Sequence, residues 1–169
     1  MRTFQTATAL LGFVIAGLVA SQAAPAHGQQ FTKFSFPPTV IRPNPPAVQT
    51  HFVYHQRTGE LWLGNKLWGR GYSGRDKGLN NPQAERVANM GPIPAGRYTI
   101  GAPHHSDRTG PFVMNLTSIG HTAYGRHDFE IHGDNSKLNH TASHGCIILA
   151  RDVRERIGRS GIHQLVVVP

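Results

Sequence analysis

Residues 128–149, DFEIHGDNSKLNHTASHGCIIL, begin with a strict alternation and end with an apolar run. An extended backbone through Asp128-Phe129-Glu130-Ile131-His132 sends Phe129 and Ile131 to one side. Asp128, Glu130 and His132 then face the other. Past a polar loop, Ile147 and Leu149 anchor one face of a second short strand, while Cys146 and Ile148 share the opposite face. If the two strands are neighbours, His132 and Cys146 meet, and the thirteen residues between them form a loop rich in Gly, Asn, Ser and His.

The same short alternation recurs outward from this stretch. His51–His55 and Glu60–Leu63 flank Gln56-Arg57-Thr58-Gly59, a hairpin signature with glycine at the end of the turn. Lys66–Gly69 adds a third strand, and Arg97–Ile100, Pro111–Ile119 and His163–Val168 read as others. Pro82–Val87 fits a single helical turn with Asn81 as its cap. Asp152–Ile157, ended by Gly158, is the one convincing helix. Nineteen glycines and twelve prolines suit short strands and turns better than long helices. The expected domain, residues 51–169, is mainly β, a sandwich or barrel with one short helix. Its irregular segment 75–91 has the length of a functional lid or binding loop.

Residues 1–28 have the pattern of a signal peptide. Arg2 precedes the apolar run Ala7–Ala20, and small residues follow at several plausible cleavage sites. Residues 29–50 hold prolines at 37, 38, 43, 45 and 46 and read as an extended linker. The functional part is therefore expected in the periplasm or cell envelope. The net charge of +8 calls for anionic company, such as wall polymers or membrane surfaces. Nucleic acid is set aside as a partner, because the basic residues are scattered and no aromatic-basic motif accompanies them.

Export sharpens the chemistry of Cys146, the single cysteine of the sequence. With no partner in the chain, it is a free, reactive thiol or an intermolecular bridge. A free thiol has a pKa of roughly 8.5, so a nucleophile at neutral pH needs an adjacent base. His132 is that candidate base. Gly145 leaves room for close approach of the backbone, and the Gly145 and Cys146 amides are candidate oxyanion donors. Glu130, Asp134 or a backbone carbonyl qualifies to orient His132. No cofactor or metal is needed for such a reaction.

At these residues the chain resembles a known family. Ser143-His144-Gly145-Cys146 with an upstream histidine is similar to the signature of L,D-transpeptidase catalytic domains. Tyr72-Ser73-Gly74, Asn80-Asn81-Pro82, Gly91–Tyr98, Ile131-His132-Gly133-Asp134 and Gly145–Leu149 follow, in order, the branch that includes peptidoglycan-targeting type VI secretion effectors. The resemblance covers roughly residues 51–160. It implies a β-rich fold, peptidoglycan stem peptides as substrate, a cysteine acyl-enzyme, and water, free D-amino acids or a second stem as acceptor. By resemblance Tyr72, Ser73, Ser143 and His144 contact substrate. Two departures, a short His-to-Cys spacing and Ile148 where cross-linking members carry arginine, point away from ordinary cross-linking. An export signal points to work in the producer's own envelope, and an immunity or inhibitor protein is a partner the sequence leaves open.

Two other readings use the same residues. His132, His140, His144 and Cys146 form a potential zinc ligand set. A non-catalytic wall-binding module would use the basic surface alone. Arg126 and Arg97 are candidate anchors for a substrate carboxylate.

Overall fold

The computed structural model describes residues 50–169. The expected signal peptide, and the expected linker up to Gln49, lie outside the described residues. Nine strands and one helix follow in chain order: β1 (Phe52–His55), β2 (Glu60–Leu63), β3 (Lys66–Ser73), β4 (Gly96–Ile100), β5 (His104–Ser106), β6 (Gly110–Ile119), β7 (Phe129–His132), β8 (Ile147–Leu149), α1 (Arg151–Arg159) and β9 (Gln164–Val168).

Eight strands close into a barrel in the order β4-β9-β1-β2-β3-β8-β7-β6, with β6 pairing back onto β4. Closure leaves no edge on these eight strands for another chain to pair with. β5 hangs on β6 outside the ring. β1 and β9 run parallel, as do β7 and β8. The expected mainly β architecture with one short helix is what forms.

Alternation decides what lies inside. Phe52, Tyr54, Leu61, Tyr98, Met114, Leu116, Phe129, Ile131, Ile147, Leu149, Leu165 and Val167 belong to one buried cluster. Each large apolar side chain so placed contributes about 1.5–3 kcal/mol relative to exposure. The hairpin turn after β1 ends in Gly59 at φ +68°, a left-handed conformation that suits glycine.

α1 buries Val153 and Ile157 against the barrel, and Arg154 goes in with them. Its guanidinium donates to the carbonyls of Leu149 (3.1 Å), Pro111 (2.7 Å) and Phe112 (2.7 Å), which ties the helix to β8 and β6. The helix passes Gly158, where a stop was expected, and ends at Arg159. Gly158 serves close approach instead: a Cβ there would meet Pro103 at 2.7 Å and Phe112 at 3.0 Å. β3 also outruns its expected end at Gly69. Pairing with β8 (Gly71↔Leu149, Tyr72↔Ile148, Ser73↔Ile147) carries it to Ser73.

That pairing sets β3 beside β8, the strand that follows Cys146, and it depends on a missing side chain. A Cβ on Gly71 would collide with the Ile148 carbonyl. Gly71→Ala is expected to destabilise the domain by about 1–3 kcal/mol through overpacking. Gly101→Ala, where the nearest atoms are at ordinary contact distance (3.5 Å), should shift stability by less than about 0.5 kcal/mol. Urea denaturation midpoints of the two variants check the contrast.

Candidate active site

The parallel pairing of β7 with β8 sets Ile131 opposite Ile147 and His132 opposite Ile148. One step earlier in that register, Glu130 lies beside Cys146. The isoleucines at 131 and 147 face the core, so the other set turns outward together. A sulfur, a ring nitrogen and a carboxylate oxygen of Cys146, His132 and Glu130 all lie within 4.8 Å of one another. Cys146 and Ile148 pack with Tyr72 in a small cluster outside the main core, as the alternation predicted for that pair.

The His132 ring is oriented from behind. Its Nδ1 lies 2.8 Å from the Gly133 carbonyl oxygen, which only accepts, so Nδ1 carries the proton and Nε2 keeps its lone pair. Of the three groups that qualified to orient His132, the backbone carbonyl is the one bonded to it. Asp134 instead accepts from the Tyr72 hydroxyl (2.7 Å) and the Asn135 amide (2.8 Å). The thiol points at the Asp128 carbonyl, 3.8 Å away. Asp128 holds φ +58°, a conformation that costs a non-glycine residue about 1 kcal/mol or more.

Burial dominates the protonation of both partners. It pushes the Cys146 thiol up to about 11, with the Glu130 charge adding to the rise while its backbone amide, Arg108 and Arg126 oppose it. It lowers His132 below the ordinary imidazole value, against the Gly133 hydrogen bond and the Glu130 charge. At neutral pH the resting pair is therefore thiol and neutral imidazole.

The backbone around the thiol is held by buried side chains. Ser143 Oγ accepts from the Gly74 amide (2.8 Å) and the Gly145 amide (3.1 Å), and donates to the Cys146 carbonyl (2.7 Å). Ser73 Oγ donates to the Gly145 carbonyl (3.1 Å) and accepts from the Ile93 amide (2.8 Å). Arg126 donates to the carbonyls of Glu85 (2.5 Å), Pro92 (2.7 Å), Gly91 (2.9 Å) and His144 (3.1 Å). Gly145 sits at φ +133°, and a Cβ there would strike the Arg126 guanidinium and the Phe129 ring.

This arrangement gives each expected site residue its place. The Gly145 amide is engaged by Ser143, which leaves the Cys146 amide as the oxyanion candidate. The space beside Gly145 is filled by Arg126 and Phe129 rather than kept for substrate. Ser73 and Ser143 are fully buried, with their hydroxyls on the backbone carbonyls of Gly145 and Cys146. Tyr72 braces the loop through Asp134 and through its oxygen, which accepts from the Ala142 amide (3.3 Å). Arg126 has its amino groups on four carbonyls, and exposed Arg97 lies on β4 near Gln164 (3.5 Å), away from the thiol's cavity.

The thiol opens into a cavity of about 720 Å³. Ala88 and Asn89 of the irregular segment form one wall, Arg108 and Thr109 another, and exposed His144 stands on the loop side. His140 meets the Tyr72 ring edge-on, with centroids 4.9 Å apart, and neither it nor His144 joins the cluster around the thiol. The group able to hold a metal among the described residues is Glu130, His132 and Cys146. A metal there would compete with the hydrogen bond from Thr109 Oγ1 to Glu130 (2.9 Å) and the Arg108 ion pair (3.4 Å).

Residues 69–168, more than half the chain, match the Tlde1 domain. The chain belongs to the Tlde1 domain family. That family consists of L,D-transpeptidase-like type VI secretion effectors, so the match supports the effector branch of the resemblance rather than the wider cross-linking family. No curated protein matches the chain. The matched span of the Tlde1 domain holds Tyr72, His132 and Cys146, and begins within β3, leaving β1 and β2 outside it. Arg108 and Thr109 line the cavity without having been marked in the sequence, and the bonds of Arg126 to four backbone carbonyls were not legible there either. Their partners are distant in sequence, and no spacing pattern marks them.

Two outcomes check the site. Alkylation of Cys146 by iodoacetamide in the free domain should be slow at pH 7 and climb with pH through 10, toward a midpoint of about 11. A rate that levels off at neutral pH contradicts the buried neutral thiol. Ser143→Ala, which strips the partner from two buried amides, should cost about 2–4 kcal/mol in chemical denaturation.

Proposed function

We propose that this Tlde1 domain is a periplasmic, cysteine-dependent L,D-transpeptidase or L,D-carboxypeptidase acting on peptidoglycan stem tetrapeptides. The observation that carries the reading is the pairing of Cys146 with a His132 whose Nδ1 is fixed on the Gly133 carbonyl, in a cavity open to substrate. Family membership is consistent with a peptidoglycan target.

In the proposed reaction Cys146 Sγ attacks the carbonyl of the diaminopimelate–D-Ala bond as His132 Nε2 takes the thiol proton. The Cys146 amide faces the developing oxyanion. His132 then delivers the proton to the departing D-Ala amine, and a thioester remains. Water, a free D-amino acid or another stem resolves it, and the proton lost by that acceptor returns through His132 to sulfur. No cofactor is required. The expected export signal and the net charge of +8 both suit an envelope full of anionic polymer.

Mass spectrometry of a defined muropeptide tetrapeptide after incubation with the domain tests the proposal. Loss of D-Ala is expected with the native thiol and none with Cys146→Ala. His132→Ala should lower the rate by about 10²–10⁴-fold. Because burial lowers His132, the acid limb of the rate profile should fall below pH 6.5, where the imidazole becomes protonated and stops accepting the thiol proton. D-Ala release by Cys146→Ala overturns the nucleophile assignment.

A further inference from the structure

Glu130 places a buried carboxylate beside a thiol. It stands on β7 two residues before His132, on the same face, and is 8% exposed. One of its oxygens lies within 4.8 Å of both Cys146 Sγ and a His132 ring nitrogen. Burial and then the Glu130 charge hold the thiol protonated, so the carboxylate opposes a standing thiolate. The fold nevertheless fixes it in place: Thr109 Oγ1 donates to one oxygen (2.9 Å), and the Arg108 guanidinium pairs with the other at 3.4 Å. The proton route proposed above leaves Glu130 without a part. Orienting His132 falls to the Gly133 carbonyl (2.8 Å), and Glu130 does not line the thiol's cavity.

The neighbouring acidic groups are committed elsewhere. Asp134 accepts from the Tyr72 hydroxyl and the Asn135 amide, and the exposed Asp128 carboxylate lies 2.7 Å from His127 Nδ1. Two cations act against a charge on the His132 ring, Arg108 from the turn between β5 and β6 and Arg154 from α1. Arg126 and exposed His144 border the cavity on the thiol's side. Glu130 is the carboxylate left to answer a positive ring. Its charge has opposite consequences before and during the reaction. At rest it disfavours a free thiolate. Once sulfur bonds to a carbonyl carbon and its proton sits on the imidazole, the same fixed anion stabilises the imidazolium.

We propose that Glu130 is a positioning residue that acts through His132, a fixed anion that supports the imidazolium only while sulfur is bonding to substrate. The inference rests on the acyl-transfer reading above. As the S–C bond forms, the thiol proton moves to His132 Nε2. As the C–N bond breaks, that proton leaves for the D-Ala nitrogen. Glu130 gains and loses no proton throughout. Arg108 offsets part of its charge, and the Thr109 hydrogen bond keeps the carboxylate from turning away from the pair.

The test is the pH profile of D-Ala release from the tetrapeptide by native protein and two variants. Glu130→Gln keeps the volume, and an oxygen for the Thr109 hydroxyl, while removing the charge. Its kcat should fall about tenfold or more with KM little changed, because the lost interaction is made only after the proton has moved. The acid limb of its kcat/KM should shift to lower pH, since an imidazole without its anion protonates less readily. Arg108→Gln removes an opposing cation and should shift the limb to higher pH. A site merely loosened by either change would admit water to the buried imidazole and move both limbs up toward the ordinary value. Native-like kcat in Glu130→Gln, or limbs that move the same way in both variants, overturns the role of Glu130 and leaves the acyl-transfer reading standing. No D-Ala release by native protein brings both down.

Discussion

The site depends on one pairing, the parallel register of β7 against β8. In a parallel pair the residues opposite one another share a face, so fixing Ile131 and Ile147 in the core fixes Glu130, His132 and Cys146 outside it. A slip of one residue in either strand would point the thiol or the imidazole into the barrel. The apolar interior opposes that slip, since it would expose Ile131 or Ile147 to the polar side. Core packing and the meeting of thiol, imidazole and carboxylate are thus the same constraint seen from two faces. Because parallel neighbours need a long connection, the chain between them becomes the loop that shapes the mouth of the cavity.

Holding the thiol at the end of such a strand requires more than the ladder. Cys146 precedes β8, where regular pairing has not begun, and side chains replace the missing partners. Ser143 and Ser73 take the two carbonyls on either side of the thiol, and Arg126 gathers the segments carrying Glu85, Gly91, Pro92 and His144 into one support. Gly145 at positive φ lets the guanidinium pass directly beneath the chain. Buried hydrogen bonds of this kind contribute modestly when made and cost more when one partner is removed. The arrangement therefore favours a rigid, single position for the sulfur. Its electrostatic consequence is a neutral pair at rest, a buried thiol beside a neutral imidazole.

Most of the elements were legible because each carries its own local signal. Alternation marked Phe129–His132 and His51–His55, and the glycine of Gln56-Arg57-Thr58-Gly59 marked the hairpin. Asn81 caps its short turn as the sequence implied, accepting from the Gln83 amide at 3.1 Å. The closure of the barrel was not legible, since β4–β6 and β1–β9 are long-range pairings with no pattern of their own. β5 escaped because His104–Ser106 is short and polar. Within the site, Cys146 and His132 were readable from alternation and compartment. Tyr72, Ser73 and Ser143 were legible as neighbours of the thiol, but their hydrogen bonds to its backbone and loop were not, because sequence proximity does not say which way a side chain turns. Gly158 shows the same limit: a glycine that relieves packing looks, in sequence, like one that ends a helix.

The proposed reaction is covalent, with substrate passing through a thioester on Cys146. Intact-protein mass spectrometry of the domain, quenched in acid shortly after mixing with excess tetrapeptide, traps that species. An adduct equal to the substrate minus alanine is expected, mapped after digestion to the peptide containing Cys146 and lost on treatment with hydroxylamine. Turnover of the same substrate with the adduct on another residue, or with the thiol already blocked, would contradict it.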